Sequence, residues 1–212
     1  MSATLPAVDD DLTTGGRVLP ITRWGTPVMH APTRPVEQFD DELRTLVRDM
    51  FATMEAASGV GLAANQVGRD LALFVYDCPD DAEVRRVGVV CNPVVELPEG
   101  KERNLEAIDE GCLSYPGAYE ELPRPDHAVC RGQDVDGHPV EIHGDGLLSR
   151  CLQHETDHLQ GIVFGDRLSG RSRKRLRQQH DELAPRYPAD WPVSPRSGPA
   201  DDEEDVEDEA EL

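Results

Sequence analysis

The segment from Gln153 to His158, with the sequence QHETDH, contains the clearest chemical pattern in the chain. His154 and His158 are four positions apart, so in a helix their imidazoles lie on one face and can reach the same cation. Glu155 follows the first histidine, where its carboxylate can contact a water molecule on that cation. Such a pattern also occurs by chance on the polar face of ordinary helices. Its chemistry predicts a metal-binding helix that carries its own general base.

A third protein ligand would complete the metal centre, and the sequence offers three places to look for it. The run from His158 to Gly161 begins like the extended motif of metzincin peptidases, but Phe164 occupies the position of their third histidine. A distant downstream carboxylate such as Glu182 is compatible with the spacing. Cys112 is the more attractive ligand, because a thiolate is a strong soft donor and three protein ligands leave one position open for water.

Three segments resemble, in order, the three signature motifs of the peptide deformylase family. They are GVGLAANQ at 59–66, EGCLS at 110–114 and QHETDHL at 153–159. The resemblance extends from about Leu19 to Arg167. It implies an α+β fold, with mixed or antiparallel strands packed around a central buried metal-binding helix. It also implies a hydrolase that removes the formyl group from the formylmethionine of newly made bacterial polypeptides and releases formate.

The resemblance implies a role for each residue of the site. The metal ligands would be Cys112, His154 and His158. A water activated by the metal would attack the formyl carbon, with Glu155 as general base and then as acid. Gln66 and the backbone N–H of Leu113 would form the oxyanion hole. Fe²⁺ is the ion expected from the resemblance, with Zn²⁺, Ni²⁺ or Co²⁺ as alternatives.

The resemblance also implies a methionine pocket, and the chain departs from the family's residue pattern at two positions. The pocket would draw on Val60, Glu110, Leu147 and Cys151, and Gly61 would pair with the substrate backbone. Glu110 could instead be structural, bonded to Arg124. Tyr119 stands where many relatives carry a substrate-contacting arginine, and Arg150 stands where some carry an apolar pocket residue. The resemblance therefore implies no peptide preference beyond methionine.

Composition limits the class of protein and its location. The 212 residues carry a net charge of −21, which argues against specific DNA binding because phosphates would be repelled. The five cysteines are an odd number and lack close paired spacing, which argues against a disulfide framework and favours a reducing cytoplasm. The sequence has no apolar run of about eighteen residues and no secretion signal near Met1. We expect a cytoplasmic protein that does not enter a membrane.

The chain is expected to form one domain with two tails. Residues 1–16 are small, polar and predicted to be flexible, residues 17–180 form the catalytic domain, and residues 181–212 are proline-rich and then acidic, with predicted disorder. Nine acids and no bases lie between Asp201 and Glu211. The basic segment Arg171–Arg177 is either a solvated helix face or a docking surface for the ribosome.

Periodicity predicts the elements that hold these residues. Apolar residues at helical spacing predict a helix with Asp40 as its N-cap and Gly59 as its stop. Strands are predicted at 71–76 and 87–95, and a hairpin at 130–142 around Asp136-Gly137. The metal-binding helix is expected from about 145 to 161 and a C-terminal helix at 167–179.

Two other functions remain open at this point. A zinc endopeptidase is suggested by the two-histidine helix taken alone. A non-enzymatic, metal-stabilised adaptor that docks on ribosomal RNA is suggested by the basic segment. The endopeptidase would cleave internal bonds of unformylated peptides, and the adaptor would not need Glu155.

Overall fold

The computed structural model describes residues 10–198, in which seven strands form two antiparallel sheets. The larger sheet has the order β1-β2-β3-β6-β7. Its strands are β1 (Gly61–Ala63), β2 (Leu73–Pro79), β3 (Arg85–Glu96), β6 (His127–Gln133) and β7 (Pro139–Asp145). The smaller sheet pairs β4 (Leu105–Gly111) with β5 (Tyr119–Pro125). The predicted α+β class is confirmed, and each strand pairing in 10–198 is antiparallel rather than mixed.

The centre of the larger sheet lies between two helices, α2 (Asp41–Ala56) and α3 (Gly146–Leu159). Successive side chains of a strand point to opposite faces, so β2 contributes to both layers. Leu73 and Val75 join the core cluster that contains the α2 side chains, whereas Phe74 and Tyr76 join the cluster that contains the α3 side chains. Burial on both faces explains why this strand is a continuous apolar run.

Helix α2 begins where the sequence predicts but ends earlier. The Asp40 carboxylate accepts hydrogen bonds from the backbone N–H groups of Glu42 (3.1 Å) and Leu43 (3.0 Å), as expected for an N-cap. The helix ends at Ala56, and the left-handed residue after it is Ser58, with φ 53°, rather than Gly59. The chain therefore turns into β1 before the glycine is reached.

Helix α3 is the central element of the fold, and twelve of its fourteen residues, from Leu148 to Leu159, are buried. It packs against the larger sheet through Leu148, Cys151 and Leu152. A helix buried on all sides must satisfy its polar side chains internally, because water cannot reach them. This places the QHETDH segment inside the molecule.

The two-stranded sheet was not predicted from the sequence. The first five residues of β4 are exposed, so the strand lacks the alternation of apolar and polar residues that identifies a half-buried strand. Its partner β5 alternates in burial, but contains two prolines that argue against a strand in the sequence. Pairing with β4 is what makes β5 a strand.

The structure differs from the predicted domain boundaries at both ends. Residues 10–13 form a helical turn, α1 (Asp10–Thr13), and Leu12 is only 3% exposed. Helix α4 (Phe164–Arg167) is followed by α5 (Gly170–Leu183), which starts and ends later than predicted. Trp191 is buried in the same core cluster as Leu12. The ordered domain thus includes the described parts of both predicted tails, while the acidic run 201–211 lies outside the described residues.

None of the helices in residues 10–198 is both long enough and apolar enough to cross a membrane.

Candidate metal centre and active site

The structure brings together the three predicted ligand residues, which come from two distant parts of the chain. His154 and His158 project from α3, and Cys112 lies in the turn that follows β4. The Cys112 Sγ atom is 3.3 Å from His158 Nε2, which is 3.2 Å from His154 Nε2. Ligand atoms bound to one tetrahedral ion lie about 3.3–3.6 Å apart. The donor set and its spacing therefore fit a single metal ion.

Glu110 holds the first histidine in the orientation that ligation requires. The Nδ1–H of His154 donates to Glu110 Oε1 at 2.7 Å, so Nε2 is the ring nitrogen turned toward Cys112 and His158. A carboxylate behind a ligating histidine fixes both its tautomer and its ring orientation. Burial lowers the pKa of His158, which keeps that imidazole neutral and able to act as a ligand.

Glu110 is itself fixed by two buried arginines. Arg124 donates to both carboxylate oxygens at 2.7 Å, and Arg150 donates to one of them at 2.8 Å. Burial alone would raise the pKa of Glu110, but the hydrogen bonds from Arg124 and His154 outweigh it and hold this pKa well below its ordinary value. Glu110 therefore stays ionised, which agrees with the structural alternative left open by the sequence.

Asp157 extends this ionic network along α3. Arg124 also donates to Asp157 at 3.0 Å, and Arg167 pairs with the same carboxylate. Asp157 lies within the QHETDH segment, but its partners are 33 and 10 positions away, so the sequence alone did not indicate the network. The network ties α3 to β5 and α4.

Glu155 lies beside the ligand cluster without being part of it. A Cβ placed on Gly61 would lie 2.4 Å from Glu155 Oε1 and 2.7 Å from Cys151 Sγ, so only glycine leaves room for this carboxylate. The other oxygen, Oε2, is buried without a hydrogen-bond partner within residues 10–198. Burial raises the pKa of the Glu155 carboxyl to about 7.

The amide group of Gln66 points toward the ligands from a short 3-10 turn after β1. Its Nε2 lies 3.7 Å from Cys112 Sγ and 3.4 Å from Ser114 Oγ, while its Oε1 accepts from the Ala63 N–H at 2.8 Å. The backbone bond fixes which end of the amide faces the site. Gln66 therefore presents N–H donors to the space beside Cys112.

The turn that carries Cys112 and Leu113 is held by backbone hydrogen bonds. The N–H of Tyr115 donates to Cys112 O at 2.7 Å, and the N–H of Trp24 donates to Ser114 O at 3.1 Å. The Leu113 side chain packs against Gly59: a Cβ placed on this glycine would lie 2.7 Å from Leu113 Cδ1. These contacts hold Leu113 next to the ligand and beside the start of β1.

An open cleft of ≈ 550 Å³ leads to this centre. The residues predicted to bind the substrate all line it: Val60, Gly61, Glu110, Leu147 and Cys151. Arg150 also lines it. Its guanidinium donates to Glu110 and to two backbone carbonyls, so these bonds fix the charged group that stands at the position of an apolar pocket residue in some relatives. Tyr119 is 55% exposed at the start of β5.

Comparison with known proteins gives one consistent result. Residues 18–174 match the family described as polypeptide deformylase. Peptide deformylase 1 of Streptomyces avermitilis is 54% identical over 174 residues, covering 82% of this chain and 80% of that protein. The peptide deformylase of Mycolicibacterium paratuberculosis is 49% identical over 176 residues, covering 77% and 89%.

Solved structures agree with the sequence relatives. A crystal structure of a peptide deformylase from Legionella pneumophila superposes with a TM-score of 0.70 at 38% identity, covering 81% of this chain and 99% of that chain. A peptide deformylase from Synechococcus elongatus, in complex with actinonin, has a TM-score of 0.69 at 37% identity, covering 81% and 95%.

Together with these relatives, the α+β fold and the buried cluster of one thiol and two imidazoles define a metal-dependent hydrolase. Within that class, the chain belongs to the polypeptide deformylase family. The resemblance seen in the three sequence motifs is thereby confirmed.

Proposed function

We propose that this protein hydrolyses the formyl group from the N-terminal formylmethionine of newly made polypeptides, with Glu155 as the general base. The observation that carries the proposal is the position of Glu155, a buried carboxylate beside the cluster of Cys112, His154 and His158. Cys112, His154 and His158 would hold a metal ion, which would supply a Lewis acid that lowers the pKa of water. The cleft gives a peptide access to this point.

The residues around the cluster have complementary roles in this proposal. Glu155 takes a proton from the attacking water and returns it to the departing amine, because it is a buried carboxylate next to His154 in the chain that is not paired with an arginine within residues 10–198. The Gln66 amide and the Leu113 N–H donate hydrogen bonds to the formyl oxygen as it gains negative charge. Val60, Leu147 and Cys151 contact the methionine side chain, and Gly61 pairs with the substrate backbone.

The test of this function is release of formate from a formyl-methionyl peptide, with the same peptide lacking formyl as control. We expect formate and an intact peptide with a free N-terminus. Cleavage of internal bonds in the unformylated peptide would instead support a zinc endopeptidase.

The metal proposed is Fe²⁺, with Zn²⁺, Ni²⁺ and Co²⁺ as alternatives that thiolate and imidazole also bind. Metal analysis, followed by assays after anaerobic iron loading and after zinc loading, identifies the active form.

Replacing Gln66 with methionine is expected to lower kcat by about 100-fold or more, because one oxyanion donor is lost. Methionine keeps the side-chain volume, so the buried site should still fill, and metal content should not change. Steady-state formate release checks the rate, and metal analysis of the same sample is the control. A kcat equal to that of the unchanged chain would show that Gln66 is not an oxyanion donor.

The proposed location is the cytoplasm, where newly made chains appear, and the proposed docking site on the ribosome is the basic segment Arg171–Arg177. Arg171 and Lys174 are exposed on α5, whereas Arg175 is paired with Glu120 and Arg173 donates to three backbone carbonyls. Salt-dependent sedimentation with ribosomes tests this, comparing the unchanged chain with Arg171→Ala/Lys174→Ala. Equal sedimentation of both proteins would exclude docking through these two residues.

A further inference from the structure

Part of the cleft is lined by a segment that the three sequence motifs do not include. This segment, residues 187–196, lies beyond the part of the chain that matches the family, which ends at residue 174. Its cleft-lining residues are Tyr187, Trp191, Pro192, Pro195 and Arg196. We call it the C-terminal wall.

The C-terminal wall is anchored to the body of the domain. The N–H of Ile21 donates to Trp191 O at 2.8 Å, and Arg23 donates to the carbonyls of Tyr187 (3.2 Å) and Pro188 (2.9 Å). The Arg23 guanidinium also lies over the Trp191 ring, 5.9 Å from its centroid. The indole itself is buried in the core. Because the segment is already held at these points, contact with a ligand does not carry the entropy cost of ordering it.

The C-terminal wall adjoins the turn that follows Cys112 and Leu113. A Cβ placed on Gly117 would lie 3.1 Å from the Tyr187 hydroxyl oxygen, so the backbone of this turn and the Tyr187 ring pack closely. Leu113 itself packs against the core cluster that includes Trp191. The turn next to the metal ligands therefore shares one cleft with the C-terminal wall. An extended peptide advances about 3.3 Å per residue, so positions after the first residue would run along it.

We infer that the C-terminal wall binds the peptide residues that follow formylmethionine and makes the enzyme more efficient on longer formyl-peptides. This inference rests on the proposed function. Proline rings and an aromatic ring lose little conformational entropy on contact, so they are suited to binding varied peptide side chains. Binding energy gained away from the reacting group can raise the efficiency of the reaction.

The test compares a formyl-methionyl dipeptide with a formyl-methionyl pentapeptide, measuring kcat and KM on the full chain. For the unchanged chain, we expect a higher kcat/KM on the pentapeptide. In Pro195→Ala/Arg196→Ala, which leaves Arg23 and Trp191 in place, KM for the pentapeptide should rise about fivefold and that for the dipeptide should rise less. The matched control is Val193→Ala, because Val193 is 51% exposed in the same segment and does not line the cleft. It should behave as the unchanged chain.

Each other outcome overturns the inference. Equal kcat/KM on both peptides in the unchanged chain would show that the segment does not contact the longer substrate. An equal loss on both peptides in the double variant would indicate a structural role only. If that variant does not fold, Arg196→Ala alone is subject to the same comparison. Failure of the unchanged chain to release formate from either peptide would instead refute the proposed function, and with it this inference.

Discussion

Glu155→Gln is expected to give a folded, metal-loaded protein that releases formate about 10²–10⁴ times more slowly than the unchanged chain. Glutamine keeps the size of the side chain next to Gly61, but it cannot accept the proton of the attacking water. Glu155 is not among the three residues whose donor atoms converge, so the metal should stay bound. The measurements are kcat with a formyl-methionyl peptide, metal content and the thermal unfolding temperature.

The matched control for this variant is Glu121→Gln, which removes an exposed carboxylate on β5. It should retain the full rate. A Glu155→Gln protein with a normal rate would show that another group is the base. A protein that loses its metal would show that Glu155 supports binding rather than proton transfer.

Cys112→Ala is expected to remove both metal and activity, which separates it from the Glu155 variant. Even residues that only orient a ligand typically contribute 10- to 100-fold to metal affinity, so loss of a direct ligand should cost more than about 100-fold. A metal that binds only the folded state raises its stability. A chelator should therefore lower the unfolding temperature of the unchanged chain and have little effect on Cys112→Ala.

Cys130→Ala is the matched control, since it also removes a buried thiol but in the apolar cluster behind α3. Burial raises the pKa of Cys130 to about 12, so this thiol is unsuited to ligation at neutral pH. The control should keep its metal and its response to chelator, with only a packing cost. Full metal content in Cys112→Ala would contradict the proposed ligand set.

The ionic network explains how a buried helix can hold a reactive site. Glu110 and Asp157 are both buried carboxylates, and Arg124 bridges them while Arg150 and Arg167 each pair with one. A buried charge is costly unless it is paired and hydrogen-bonded. In contrast, Glu155 receives no arginine in residues 10–198, although it lies on the same helix. The network thus separates the two arginine-paired carboxylates from the carboxylate of Glu155, which we propose as the general base.

Several elements could be predicted from local sequence because their physical cause is local. The Asp40 cap, strands β2 and β3, the hairpin around Asp136-Gly137 and the limits of α3 depend on spacing and turn residues within one segment. Strand β4 could not be predicted in this way, because it is stabilised by its partner rather than by an apolar face. The C-terminal wall was missed for a related reason: its prolines resemble a loose tail until Trp191 is seen in the core.

For the site, the sequence by itself determined the donor types, the four-residue spacing of His154 and His158 and the place of Glu155 between them. These follow from the geometry of one helix. Only the tertiary structure decided that Cys112 meets the two histidines, that Glu110 orients one of them, and that residues 187–196 wall the cleft. Each of these contacts joins segments far apart in the chain. They depend on how sheet and helices pack, which local spacing does not specify.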